Sequence, residues 1–175
     1  MRGLPPARAT LRRIAKLFAM PDSSGVMQSS GSVEIDKPID VVFEYTINHV
    51  AEWSTIVVED EVVEEKNGGG VGTTFRSVTE ERGRRMEFAG EVTQYERPTL
   101  CTVVLKGESF EMEAAYRFEA IDENRTRVTQ DSDVTPKGFL KVFFFLFGWL
   151  MKKGGCDAQQ KELENLKRLC EAREA

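Results

Sequence analysis

Apolar and charged positions alternate through the middle of the chain. Phe110, Met112, Ala114, Tyr116 and Phe118 fall on one side of an extended segment, and Glu111, Glu113, Arg117 and Glu119 on the other. Successive side chains of a strand point to opposite faces, so this pattern predicts a sheet with one solvated and one buried face. Met86, Phe88, Gly90 and Val92 opposed by Arg85, Glu87 and Glu91 repeat it, as do Val128 and Val134 opposed by Arg127, Asp131 and Asp133. Turn signals separate the strands at Asn67-Gly68-Gly69-Gly70, Arg82-Gly83, Arg97-Pro98, Lys106-Gly107-Glu108 and Asp122-Glu123-Asn124. Such spacing predicts an antiparallel meander.

Ahead of the meander, Val33 and Ile35 alternate with Ser32, Glu34 and Asp36 in a first strand. Asp36-Lys37-Pro38-Ile39-Asp40 then reads as a helix start, with Asp36 as the capping acid and a proline in the first turn. A short helix through Val42, Phe43 and Tyr45 follows, and a second one ends near Trp53. At the far end, the stretch from Lys137 to Glu174 is the one element long enough to cover the inner faces of the strands. Its second half carries Leu163, Leu166 and Leu169 among polar residues, an ordinary amphipathic stripe. Its first half, Gly138 to Met151, is apolar around its whole circumference, with Phe139, Val142, Phe143 and Leu146 on one face and Leu140, Phe144, Phe147 and Met151 on another. At about 14 residues it is short of the roughly 20 that cross a hydrocarbon core as a helix. It must be covered on two sides, face a cavity that holds something greasy, or touch a membrane. Gly148 and Gly154-Gly155 predict a bend or break between the halves.

The predicted class is therefore α+β: a first strand, two short helices, about six further strands as an antiparallel meander, and a long C-terminal helix. The chain's 175 residues fit one domain over 26–175, preceded by a basic extension and linker over 1–25. Arg2, Arg8, Arg12, Arg13 and Lys16 sit in that extension with no acid before residue 21, so subtracting these five from a formal charge of −5 leaves −10 on the rest. An acidic body is poorly suited to nucleic-acid phosphates. The extension places Leu11, Ile14, Ala15 and Phe18 on one helical face. It suits an anionic membrane surface or an organelle presequence, or else precedes a true start at Met20 or Met27.

Candidate chemistry is sparse. His49 is the one histidine, and neither Cys101 nor Ser54 has the spacing of a nucleophile paired with it. Cys101, Cys156 and Cys170 show no metal-ligand or redox spacing; Cys156 and Cys170 on one helix would be about 21 Å apart. They read as reduced packing residues in a cytoplasmic protein, with membrane association left open. The glycine run 67–72 lacks the Lys-Ser/Thr ending of a phosphate loop and precedes a strand. Glu59-Asp60-Glu61, Glu64-Glu65 and Glu80-Glu81 read as solvated charge that discourages edge pairing. No catalytic residue, metal site or cofactor is predicted.

The element order, together with Ile35-Asp36-Lys37-Pro38-Ile39-Asp40-Val41-Val42-Phe43, Trp53 and Gly70-Val71-Gly72-Thr73-Thr74-Phe75, resembles the polyketide cyclase/dehydrase and lipid-transport (SRPBCC) group of START-like proteins. The resemblance covers roughly residues 26 to 173 and implies the helix-grip fold, in which a bent antiparallel sheet, here of about six or seven strands, wraps around the long C-terminal helix and leaves an apolar cavity between them. Inward candidates to line that cavity are Trp53, Phe75, Met86, Phe88, Val103, Met112, Tyr116, Val128, Phe139, Val142, Phe143 and Leu146, with Gln130 and Ser132 placed on the same face by strand alternation. Gln130 and Ser132 are polar groups on a greasy wall, and together with Tyr116 they are the expected polar handles. Two functions fit such a cavity: binding or transfer of a lipid, isoprenoid or polyketide-like molecule, or a cyclase/dehydratase in which Tyr116 or His49 moves a proton. A third reading is a peripheral membrane protein docking through the aromatic half-helix.

Overall fold

Seven strands form a single antiparallel sheet in the order β1-β7-β6-β5-β4-β3-β2. The structure, a computed structural model, describes residues 26–81, 83–138 and 157–173. The strands are β1 (Met27–Ile35), β2 (Val57–Glu64), β3 (Thr74–Glu81), β4 (Arg84–Glu96), β5 (Leu100–Lys106), β6 (Phe110–Asp122) and β7 (Arg125–Pro136). Helices α1 (Ile39–Asn48) and α2 (Val50–Trp53) connect β1 to β2, which lie at opposite edges of the sheet. Helix α3, over residues 157–172, lies against the concave face. The basic extension and the aromatic run, with Phe139, Val142, Phe143 and Leu146, lie outside the described residues.

The strand alternation read from the sequence is realised in the register. Tyr116 pairs with Cys101 on one side and Gln130 on the other, and Ala114 pairs with Val103 and Ser132. Each pair shares a face, so one inward residue fixes its neighbours across the sheet. The inner face is apolar at Ile35, Val92, Cys101, Phe118 and Val128, which join Val42, Phe43, Tyr45 and Trp53 of the short helices and Leu163, Leu166 and Cys170 of α3 in one core. Phe43, fully buried, meets Tyr95 and Phe118 edge-on with ring centroids 5.5 and 5.0 Å away. Such aromatic pairs contribute about 0.5–1.5 kcal/mol beyond the area they bury.

The outer face is held by ion pairs across neighbouring strands. Arg76 reaches Glu59 at 2.8 Å and Glu87 at 3.0 Å, and Arg127 reaches Glu34 at 2.8 Å and Glu119 at 3.0 Å. Exposed pairs of this kind contribute little stability each, roughly 0–1 kcal/mol. Their consequence is that Arg76 and Arg127 are committed to the outside.

Three local expectations change. Asp36 is not the cap of α1: Pro38 occupies that position, and the Asp36 amide donates instead to Glu171 of α3 at 2.8 Å. The turn before the helix is closed by the Lys37 amide donating to the Ile35 carbonyl. Helix does not begin at Lys137, because β7 runs through Pro136, the Lys137 amide donates to Ser109, and Gly138 has φ of +55°. Finally, Asp60 is not solvated charge on the outer face. The β2–β3 register pairs it with Ser77, whose partner on β4 is the buried Phe88, so Asp60 shares the inner face.

Candidate functional site

One glycine lets the helix approach the sheet. A β-carbon on Gly31 would lie 2.9 Å from Leu163 Cδ1, 3.3 Å from Gln160 Oε1 and 3.6 Å from Gln159 Cγ, so a side chain there would have to displace the end of the fully buried Leu163. Gly31 pairs with Gln130, and Gln130 with Tyr116. The approach therefore brings Gln159 of α3 onto the row that carries the polar groups of the inner face.

Those groups form a short chain of hydrogen bonds. Gln130 Nε2 donates to the Tyr116 hydroxyl at 3.0 Å, and Gln159 Nε2 donates to the Gln130 backbone carbonyl at 2.8 Å. Part of the demand expected of a ligand is thus met within the protein: Gln130 and Tyr116 serve each other. Burial is the main cause that holds the Tyr116 phenol above the usual tyrosine range, and Cys101, Glu162 and Asp60 add to it. Tyr116 is therefore a neutral hydroxyl at physiological pH. Ser132 lies on the next inner row between Ser29 and Ala114 and is 6% exposed. Gln159 Oε1 and Thr79 Oγ1 are buried without a hydrogen-bond partner among the described residues.

Val103, Met112, Tyr116, Gln130 and Ser132 of the predicted lining set come together on β5, β6 and β7. Phe75 lies towards the β2 edge with its ring over Gly90, where an added β-carbon would meet ring carbons at 2.3 Å. Phe88 packs beside Phe110, centroids 5.2 Å apart, over Gly107, and Met86 sits opposite Thr79. Trp53 is buried at the end of α2 in the core against which Phe75, Val103 and Tyr116 pack, its indole donating to the Thr46 carbonyl at 3.1 Å and its own carbonyl accepting from Asn165.

Asp60 and Gln159 are inward polar residues that were not among the predicted ones. Asp60 is held above the usual carboxylate range by desolvation, against an opposing hydrogen bond from Ser77. Its signal in the sequence is the run Val58, Asp60 and Val62, an acid in phase with two valines. Gln159 precedes Leu163 by four residues and so continues the stripe of Leu163, Leu166 and Cys170 towards the N-terminus of the helix.

The nucleophile readings find no support in this geometry. Cys101 is fully buried and its thiol is pushed up to about 11 by desolvation, as is that of Cys170, so neither supplies thiolate at neutral pH. Ser54 Oγ donates to Glu162 at 2.7 Å, and the Thr55 amide donates to the same carboxylate, tying the α2–β2 turn to α3. His49 stacks on Tyr45 and bonds Glu52 at 2.8 Å at the α1–α2 junction, away from the polar row. Among the described residues no group of three or more His, Cys, Asp or Glu side chains is arranged to hold a metal ion. Nor is any described helix long and apolar enough to cross a membrane.

The outer face offers two shallow depressions of about 240 and 270 Å³. One is lined by Glu111, Glu113 and Asp133, the other by Val63, Thr74, Ala89, Glu91 and Lys106 together with Phe75 and Gly90 at the β2 edge. Neither contains the polar row of the inner face.

A family model described as polyketide cyclase / dehydrase and lipid transport matches residues 27–171. No curated protein matches the chain. Similar solved structures include a protein from Thermus thermophilus (19% identity, 82% of this chain and 94% of that one, TM-score 0.62). A START superfamily protein from Mycobacterium smegmatis has 17% identity over 80% of this chain and 99% of its own, with a TM-score of 0.58. The Zhui aromatase/cyclase from Streptomyces sp. R1128 has 14% identity over 82% and 96%, with a TM-score of 0.60. These likenesses establish the shared fold, and the family model spans most of the chain: the protein belongs to the polyketide cyclase/dehydrase and lipid-transport family.

Proposed function

We propose that this protein binds, and delivers or holds, a hydrophobic small molecule of the lipid, isoprenoid or polyketide-like class between the inner face of its sheet and its C-terminal helix. The observation that carries this reading is the wall itself: Val103, Met112 and Ala114 surround Tyr116, Gln130 and Ser132, with the orphan Gln159 carbonyl above them. An apolar lining with a few oriented polar groups is the usual character of a small-molecule site. A ligand losing about 300 Å² of apolar surface would gain roughly 7 kcal/mol before the costs of association, enough for useful affinity without any catalytic group. Melting curves recorded with a panel of fatty alcohols, isoprenols and aromatic polyketide mimics test the proposal. Saturable stabilisation is expected; no shift with any of them contradicts it.

A second reading, a cyclase or dehydratase using the same interior, is favoured by one observation. The Tyr116 hydroxyl is neutral, desolvated and fixed by Gln130, which suits a proton donor to a bound carbonyl. Tyr116→Phe separates the two readings: turnover of a reactive polyketide lost while ligand binding persists supports the enzyme.

A further inference from the structure

We propose that the interior takes a neutral ligand bearing a hydroxyl group on its hydrophobic body, and that Gln159 is the residue that reads this hydroxyl. This rests on the ligand-binding function proposed above and adds the polar chemistry of the ligand.

The amide orientation of Gln159 is set by chemistry. Its Nε2 faces the Gln130 backbone carbonyl at 2.8 Å, and a carbonyl only accepts, so the amide cannot turn round without placing two acceptors together. Oε1 is consequently committed to the other direction. Gln159 is 8% exposed and Oε1 has no donor among the described residues. A buried acceptor without a donor is costly, so a ligand that brings an O–H or N–H there recovers a cost already built into the fold.

The adjoining pair supplies the complement. With Gln130 Nε2 donating to the Tyr116 oxygen, the phenol proton remains available. With the Gln130 amide reversed, Tyr116 donates to Gln130 and the Gln130 amide protons remain available. In both arrangements a donor is left over on the Gln130–Tyr116 pair, whose Gln130 backbone carbonyl is the group that Gln159 holds. A hydroxyl is the smallest group that gives and receives; an ether or ketone satisfies only the donor, and a hydrocarbon neither.

Charge argues against an anionic ligand. Arg76, Arg85, Arg117 and Arg127 alternate outward into ion pairs with Glu59, Glu87, Asp131, Glu34 and Glu119. Asp60 meanwhile shares the inner face. A carboxylate placed against Gln159 Oε1 would set two acceptors together, and these four arginines point away from it.

Isothermal titration of the full chain with 2-naphthol, 2-methoxynaphthalene and 2-naphthoate tests this, alongside the Gln159→Leu variant. Gln159→Met serves if the first variant melts markedly lower. Wild type is expected to bind 2-naphthol about tenfold more tightly than 2-methoxynaphthalene, with 2-naphthoate weakest. The variant is expected to bind naphthol and its methyl ether alike, at wild-type affinity for the ether. Equal affinity for naphthol and ether in wild type, a naphthol preference that survives in the variant, or tightest binding of the naphthoate overturns this proposal alone. Failure of all three probes to bind wild type overturns it together with the binding function.

Discussion

Gly31 and Leu163 stand so close that a β-carbon on the glycine would lie 2.9 Å from the leucine Cδ1. The contact sets how near α3 comes to the β1–β7 edge, and with it the reach of Gln159 to Gln130. Gly31→Val is expected to lower stability by about 1–3 kcal/mol through overpacking. Urea denaturation measures this. A variant as stable as wild type would mean that the helix can ride further out without loss.

The same argument applies between Phe75 and Gly90, where the ring occupies the space a β-carbon would need at 2.3 Å. Gly90→Ala alone is expected to cost about 1–3 kcal/mol, since a packed ring must leave its place. In a Phe75→Leu background the added cost should shrink by at least about 0.5 kcal/mol, the signature of a direct contact. A double-mutant cycle with no coupling would contradict the packing.

Glu162 accepts from both Ser54 and Thr55 and so pins the start of β2 to the helix. Glu162→Ala should cost about 1–2 kcal/mol, since several hydrogen bonds to one charged acceptor are lost at a partly solvated site. Hydrogen exchange should rise first at the amides of residues 55–57. Uniform exchange across the chain would contradict a local role.

Asp60 gives a pH signature of known sign. Its folded pKa is raised by desolvation, so the folded state binds a proton more tightly than the unfolded chain, and ionisation costs stability as pH rises through that raised value. Asp60→Asn should therefore be more stable than wild type at neutral pH, with the difference vanishing at pH below the ordinary aspartate range near about 3.9. Paired melting curves across pH would show it. A variant less stable at neutral pH would mean that the carboxylate is paired rather than desolvated.

The architecture was legible because β6 and β7 alternate cleanly over a dozen residues and their register then orders the neighbouring strands. Tyr116, Gln130 and Ser132 were legible for the same reason, being polar residues in an apolar phase. Asp60 was missed because it lies between Glu59 and Glu61, and acids in series resemble a solvated edge until β2 is paired with β3. Gln159 was missed because the stripe of α3 was started at Leu163, although the residue four earlier must share that face. The Asp36 cap failed on a contact from far along the chain: Glu171 takes the Asp36 amide, and local capping signals carry no information about a helix more than a hundred residues away.

The most direct measurement is native mass spectrometry of the protein purified from its own host under gentle conditions. The account predicts one retained neutral molecule per chain, hydrophobic and hydroxyl-bearing, retained in a smaller fraction of chains after the Gln159→Leu substitution. A bare chain mass that stays bare on addition of 2-naphthol and long-chain alcohols would contradict it.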